Sequence, residues 1–154
     1  MKIKTTLAVL AFLAVSAIAA FASDPNVGTW KLNDAKSKIP AGAAKNNTVT
    51  YTEEGDQYKC VIDGVDAKGQ PAHNEWTGKF DGKDYPITGD SAANTRAIKK
   101  VGERKYTVAN KKDGKVLLSG NIEISADGKT RTVKISGTGA DGKKMASTQV
   151  YDRQ

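Results

Sequence analysis

Residues 105–118, with the sequence KYTVANKKDGKVLL, place the dipeptide Asp113-Gly114 between two runs in which apolar and polar side chains alternate. Alternation with a period of two is typical of a β-strand that buries one face. A tight hairpin turn needs positive φ angles, which glycine adopts without steric cost. This stretch therefore predicts two antiparallel strands joined by a two-residue turn.

The same signal recurs along the chain and predicts an all-β fold. Asp-Gly occurs at 63–64, 81–82, 113–114, 127–128 and 141–142. With the alternation, it predicts strands near residues 27–32, 47–53, 57–63, 72–80, 83–88, 94–101, 104–111, 115–125, 129–138 and 143–152. Short connections join antiparallel neighbours, and a single sheet that buries one face usually closes on itself. We predict an antiparallel up-and-down barrel of about eight to ten strands.

The alternation also assigns side chains to the barrel interior. The opposite face of the predicted strands carries mostly Thr, Lys, Glu, Asn and Ser. The predicted interior face contains Val49, Tyr51, Tyr58, Cys60, Ile62, Trp76, Phe80, Tyr85, Ile87, Ile98, Tyr106, Val108, Val116, Leu118, Ile122, Ile124, Val133, Ile135, Met145, Ser147, Gln149 and Tyr151.

The first 22 residues have the pattern of a secretory signal peptide. Lys2 and Lys4 precede an apolar run over residues 7–21, and residues 20–22 (Ala-Phe-Ala) match a small-residue cleavage site. The run is shorter than the roughly 20 residues of a spanning helix, which disfavours the alternative of a membrane anchor. We expect a single domain at residues 23–154, secreted or periplasmic, without stable membrane insertion.

Composition argues against several functional classes. The chain is basic, with a net charge of +7, but its lysines form no compact run with interleaved aromatics, so we expect no nucleic-acid binding. Cys60 is the only cysteine, which leaves no internal disulfide, and we expect it to be a buried apolar residue. His73 is the only histidine and falls on the outer face. Without a zinc set or a nucleophile–base pair, we expect no metal, no cofactor and no enzymatic activity.

The longest connection, residues 33–47, contains no alternation. Asp34 is placed to cap one helical turn that Pro40 would end. The segment is interpreted either as a plain surface loop or as a lid across one end of the barrel.

Residues 27–32, VGTWKL, resemble the Gly-x-Trp opening strand of the calycin superfamily, which includes lipocalins, fatty-acid-binding proteins and avidins. The hairpin order and the terminal residues 149–153, QVYDR, look like the fatty-acid-binding branch. Residues 23–154 also resemble a group of small exported bacterial lipocalin-like proteins. The resemblance implies that Trp30 is structural and packs under the closed end of the barrel.

The chain departs from fatty-acid-binding proteins at two points. The connection after the first strand is too short for their helix pair. Gln149 and Glu123 stand where those proteins carry the arginines that bind the ligand carboxylate. The family's carboxylate site is therefore not carried over.

Two other arginines occupy the alternate positions that face the barrel interior. Arg96 lies two residues before Ile98, and Arg131 lies two residues before Val133, so each is predicted to point to the same side as its apolar neighbour. A buried guanidinium needs an acceptor or an opening to water, so these side chains either reach solvent at strand ends or form an anion clamp at a cavity mouth. The predicted ligand-binding set is Tyr51, Trp76, Phe80, Arg96, Tyr106, Arg131, Gln149 and Tyr151.

From the sequence we expect an exported calycin-like barrel that binds a small apolar or amphipathic molecule, with an anion as one candidate. The first alternative is a protein-interaction or inhibitor module that acts through its loops and has a filled barrel. An enzyme is a more distant alternative. A connected cavity of roughly 300 Å³ or more would favour a ligand binder, whereas a packed interior with an exposed apolar rim would favour an interaction module.

Overall fold

The computed structural model describes residues 23–90, 92–138 and 142–154, and its strands form a closed antiparallel barrel. The predicted signal peptide, residues 1–22, lies outside the described residues. The strands are β1 (Gly28–Leu32), β2 (Lys45–Glu54), β3 (Gln57–Val65), β4 (Pro71–Gly78), β5 (Asp81–Thr88), β6 (Thr95–Gly102), β7 (Lys105–Lys112), β8 (Lys115–Ile124), β9 (Thr130–Thr138) and β10 (Lys144–Arg153). Successive strands are neighbours, and β1 pairs with β10 to close the sheet. The predicted fold class is confirmed.

The Asp-Gly pairs have different roles in the structure. Asp113 and Gly114 join β7 to β8 with φ angles of +50° and +79°, as a type I′ hairpin turn requires. The turn predicted at Asp63-Gly64 is wrong, because both residues lie inside β3. A Cβ atom on Gly64 would lie 2.0 Å from a carbonyl oxygen of β2, so glycine there permits close packing of two strands. The chain turns later, at 66–70.

Of the remaining Asp-Gly pairs, one lies in a strand and one in a turn. The turn predicted at Asp81-Gly82 is wrong, because these residues begin β5 and the connection from β4 is residues 79–80. Residues 127–128 lie in the connection between β8 and β9, as predicted. Gly142 precedes β10, whereas Asp141 lies outside the described residues.

The connection of residues 33–44 contains a single turn of 3₁₀ helix, Asp34–Lys36. Its cap is Asn33, whose side chain accepts a hydrogen bond from the backbone N–H of Lys36, so the predicted cap at Asp34 is wrong. At Lys38 the segment pairs with Thr148 of β10. Up to that point it runs alongside β10 and not across the end of the barrel.

The two ends of the barrel are built differently. The N-terminal end is formed by residues 23–27 and the connections 55–56, 79–80, 103–104 and 125–129. Among the described residues, the loop end contains the connections 33–44, 66–70 and 113–114, residues 89–90 and 92–94, and residues 142–143. Most of the predicted interior side chains are buried or partly buried.

Val116 is the exception among the predicted interior residues, because half of its surface is exposed. Lys111 pairs with Val116 and Asn110 pairs with Leu118, so β8 carries one extra residue at this point. An extra residue in one strand reverses the alternation on one side of it. The sequence pattern did not reveal this irregularity.

The seam between β4 and β5 is the least paired part of the barrel relative to strand length. These two eight-residue strands share the paired positions Glu75–Thr88 and Trp76–Ile87, whereas β9 and β10 share nine positions. Pro86 in β5 also lacks a backbone N–H. Strand β5 therefore has the character of an edge inside a closed sheet.

We expect the amides of this seam to exchange faster than those of the rest of the sheet, since local opening needs fewer broken hydrogen bonds there. Hydrogen–deuterium exchange read by mass spectrometry is the measurement. Peptides from residues 79–88 should take up deuterium faster than peptides from residues 146–152. Equal protection of both regions would contradict the expectation.

Candidate ligand-binding site

An aromatic cluster fills the N-terminal half of the barrel interior. Phe80, from the connection between β4 and β5, stacks on Tyr58 with ring centroids 4.0 Å apart. Its ring also lies 5.2 Å from the Tyr106 ring, 6.0 Å from Tyr51 and 6.3 Å from Trp76. These contacts leave little room for a ligand at this end.

A cavity of about 70 Å³ lies between this cluster and the loop end. Of the predicted ligand-binding residues, Tyr51, Arg96, Arg131, Gln149 and Tyr151 line it. Trp76, Phe80 and Tyr106 do not, because they pack against one another in the aromatic cluster. The other lining residues are Asn46, Val49, Ile62, Val108, Asn110, Ile122, Val133 and Ile135.

Sequence reasoning missed two of the polar lining residues. Asn110 shares the parity of Tyr106 and Val108, so the pattern contained the signal. Asn46 precedes the predicted start of its strand, and a register irregularity separates it from Thr48. Parity therefore gave no indication that Asn46 faces the interior.

Arg96 is 95% buried, since 5% of its surface is exposed. Its Nε donates to Oδ1 of Asn110 at 2.9 Å, and its Nη2 donates to Oδ1 of Asn74 at 3.3 Å. Its Nη1 is buried and has no hydrogen-bond partner in the described structure. The indole N–H of Trp76 donates to the Arg96 carbonyl at 2.9 Å and holds this part of β6 in place.

Arg131 is also buried, with 4% of its surface exposed, and approaches the cavity from the N-terminal side. Its Nε donates to Oδ1 of Asn26 at 3.0 Å. Its guanidinium carbon lies 5.6 Å from the centre of the Tyr51 ring and 5.3 Å from that of Tyr151. Both rings offer a favourable cation–π surface. The burial of Arg96 and Arg131 rules out the interpretation that they extend into solvent at strand ends.

The ionisable protons of the cavity wall remain bound at neutral pH. Burial raises the pKa of the Tyr51 hydroxyl and of the Cys60 thiol, which lie beside each other, although the nearby arginines act in the opposite direction. Burial also raises the pKa of Tyr151 to about 12, against the opposing charge of Arg131. No Asp or Glu is among the residues described as lining the cavity. Its formal charge therefore comes from two guanidinium groups alone.

Trp30 lies at the N-terminal end and is fully buried. Its indole N–H donates to the carbonyl oxygen of Asn26 at 2.9 Å. The guanidinium of Arg153 stacks 4.2 Å from the ring centre and donates to the carbonyl oxygens of Pro25 and Val27. Trp30 thus fastens the N-terminal segment to the barrel and does not line the cavity.

A wider hollow of about 520 Å³ lies outside the N-terminal end, beside Ser23, Asp24 and Glu53. Its carboxylates already have partners. Asp24 accepts hydrogen bonds from Tyr106 and Lys100, and Glu53 accepts one from Ser23. We therefore place the candidate site in the smaller interior cavity.

His73 belongs to a charged cluster on the outer face of β3 and β4. Its Nδ1 lies 2.7 Å from Asp63 Oδ1 and its Nε2 lies 3.3 Å from Glu75 Oε1, while Lys59 pairs with Glu75 at 2.9 Å. The hydrogen bonds that the His73 ring donates to Asp63 and Glu75 raise the pKa of His73 above its ordinary value of 6.5. Within the described ranges, no group of three or more His, Cys, Asp or Glu residues is arranged to hold a metal ion.

This shift predicts a small pH dependence of stability. Because the folded pKa of His73 is raised, protonation contributes stability that is fully present below about pH 6.5 and is lost as the pH rises through the folded pKa. Urea melts should show that the unfolding free energy of the wild type falls more between pH 6 and pH 8 than that of His73→Gln. The same pH slope in both proteins would contradict this assignment.

No protein-family model matches the chain, and a search of curated proteins finds no significant match. In the part of the chain that the structure describes, no helix is long and apolar enough to span a membrane.

Proposed function

We propose that this protein is an exported, calycin-like barrel that binds a small anionic molecule in its interior, with the charge of the ligand at Arg96. The observation that carries the proposal is Arg96, a cavity-lining residue that is 95% buried and whose Nη1 has no hydrogen-bond partner among the described residues. An isolated buried charge costs several kcal/mol unless a partner compensates it. Amide oxygens satisfy the other two nitrogens of this guanidinium but supply no negative charge.

The electrostatics of the wall support the same proposal. Arg131 adds a second positive charge on the far side of the cavity, and no lining carboxylate offsets either arginine. The apolar walls lower the local dielectric, which strengthens the attraction for an anion. The hydroxyls of Tyr51 and Tyr151 and the side-chain amides of Asn110 and Gln149 provide polar neighbours.

Thermal unfolding with matched pairs of acids and amides tests this function. A ligand at one hundred times its Kd stabilises the native state by about 2.7 kcal/mol. We expect small organic acids to raise the Tm of the purified full chain, whereas their uncharged amides should not. The effect should disappear in Arg96→Gln and persist in Arg104→Gln, which changes a half-buried arginine that does not line the cavity.

Two outcomes would contradict the proposal. Acids and amides could raise the Tm equally, or the acids could stabilise Arg96→Gln as much as the wild type. Either result would show that the charge of Arg96 does not contribute to ligand binding.

The second candidate is an interaction module with a filled barrel, and the small cavity is the observation that favours it. A volume of about 70 Å³ is well below the roughly 300 Å³ of a drug-sized ligand pocket. An exposed apolar rim, the other expected sign, is missing from the described surface, where Val101 and Val116 are the exposed large hydrophobic residues. Failure of every anion to stabilise the chain would favour this candidate.

A further inference from the structure

The size of the cavity and the single open donor position of Arg96 restrict the class of anion. We propose that the ligand is a short monocarboxylate of formate or acetate size; this inference rests on the proposed function and narrows it. A volume of about 70 Å³ is well below the roughly 300 Å³ of a drug-sized pocket. It therefore holds a carboxylate with at most a short substituent.

The chemistry of the wall favours a carboxylate over a phosphate-like anion. A phosphate group presents several strong acceptor oxygens, and each needs a donor when it is buried. Arg96 offers one unpartnered nitrogen, and Arg131 already donates from Nε to Asn26. Six of the thirteen lining residues are Val or Ile. These side chains suit a methyl group and form no hydrogen bond with the additional oxygens of a phosphate.

The packing on the N-terminal side excludes a long acyl chain. Behind the cavity, the rings of Tyr51 and Phe80 are 6.0 Å apart, and Phe80 is stacked on Tyr58. Ile122 also lines the cavity and is 2% exposed. On this side of the cavity there is no space for a chain of eight carbons.

A titration series by NMR tests the proposal. Acetate, butyrate, octanoate and inorganic phosphate are each added to the ¹⁵N- and methyl-labelled full chain. The side-chain Nε–Hε signals of Arg96 and Arg131 and the methyl signals of Ile62 and Ile122 are followed. We expect acetate to shift the Arg96 signal and the isoleucine methyl signals, and octanoate and phosphate to leave them unchanged. Arg96→Gln should weaken acetate binding tenfold to a hundredfold, whereas Arg104→Gln should not.

A variant with an enlarged cavity should bind a longer acid than the wild type does. Ile122→Ala removes three carbon atoms from the wall and should admit butyrate, with about a fourfold gain in affinity for each added methylene that is buried. Ile87→Ala is the matched control, because Ile87 is buried in the core but does not line the cavity. Val108→Ala is a milder enlargement that serves if Ile122→Ala does not fold.

The outcomes separate this inference from the proposed function. Octanoate that binds the wild type as tightly as acetate would overturn the short-acid inference and leave the anion site in place. Phosphate that binds better than acetate would do the same. If no anion shifts the Arg96 or isoleucine signals, both proposals fail.

Discussion

Replacement of Trp30 by alanine should lower the free energy of unfolding by about 3–5 kcal/mol, as large aromatic truncations in a core do. Trp30 is fully buried, donates its indole N–H to the Asn26 carbonyl and stacks on Arg153. The truncation removes the ring that holds the N-terminal segment against the barrel. Urea melts of wild type and variant, followed by circular dichroism, give the difference.

Trp30→Phe separates the ring from its hydrogen bond. Phenylalanine keeps most of the packing but leaves the buried Asn26 carbonyl without its donor, which costs about 1–3 kcal/mol. We therefore expect this variant to lie between the wild type and Trp30→Ala. A loss below about 1 kcal/mol in Trp30→Ala would contradict the structural role of this residue.

Asn26→Ala should be the second strongly destabilising change, with a loss of about 1.5–3 kcal/mol, because it removes a hydrogen bond to a buried charge. Asn26 is fully buried, and its Oδ1 accepts from Nε of Arg131. The guanidinium of Arg131 would keep the rings of Tyr51 and Tyr151 beside it but lose this acceptor.

The matched control is Asn47→Ala, because Asn47 is an exposed asparagine in β2. Exposed substitutions usually change stability by less than about 0.5 kcal/mol. Chemical denaturation of both variants and the wild type provides the comparison. Equal stability of Asn26→Ala and Asn47→Ala would show that the contact with Arg131 contributes nothing measurable.

The Asn26 contact also separates the roles of the two interior arginines. Arg131 is held by a hydrogen bond to Asn26 and lies beside two aromatic rings. Arg96 has an unpartnered nitrogen at the cavity. The sequence placed both arginines in the interior by parity and offered no means to distinguish them.

The strand pattern was predictable because it depends on local physics. Alternation and turn chemistry act over a few residues, and they placed β7 and β8 around the turn at Asp113-Gly114. The same rules failed at Asp63-Gly64 and at Val116. Gly64 lies inside a strand, where the absence of a side chain lets β2 pack closely against β3. At Val116, a bulge in β8 reverses the alternation. Both features arise from pairing with another strand.

By itself, the sequence determined the all-β class, the order of the strands and the inward parity of Arg96 and Arg131. These follow from hydrophobic periodicity and short connections, which every segment carries locally. The tertiary structure decided how much interior space remains, because Phe80, Tyr58 and Trp76 from separate segments meet and fill one half of the barrel. It also decided that Nη1 of Arg96 lacks an acceptor, since the partners of a buried group are set by which distant side chains close around it.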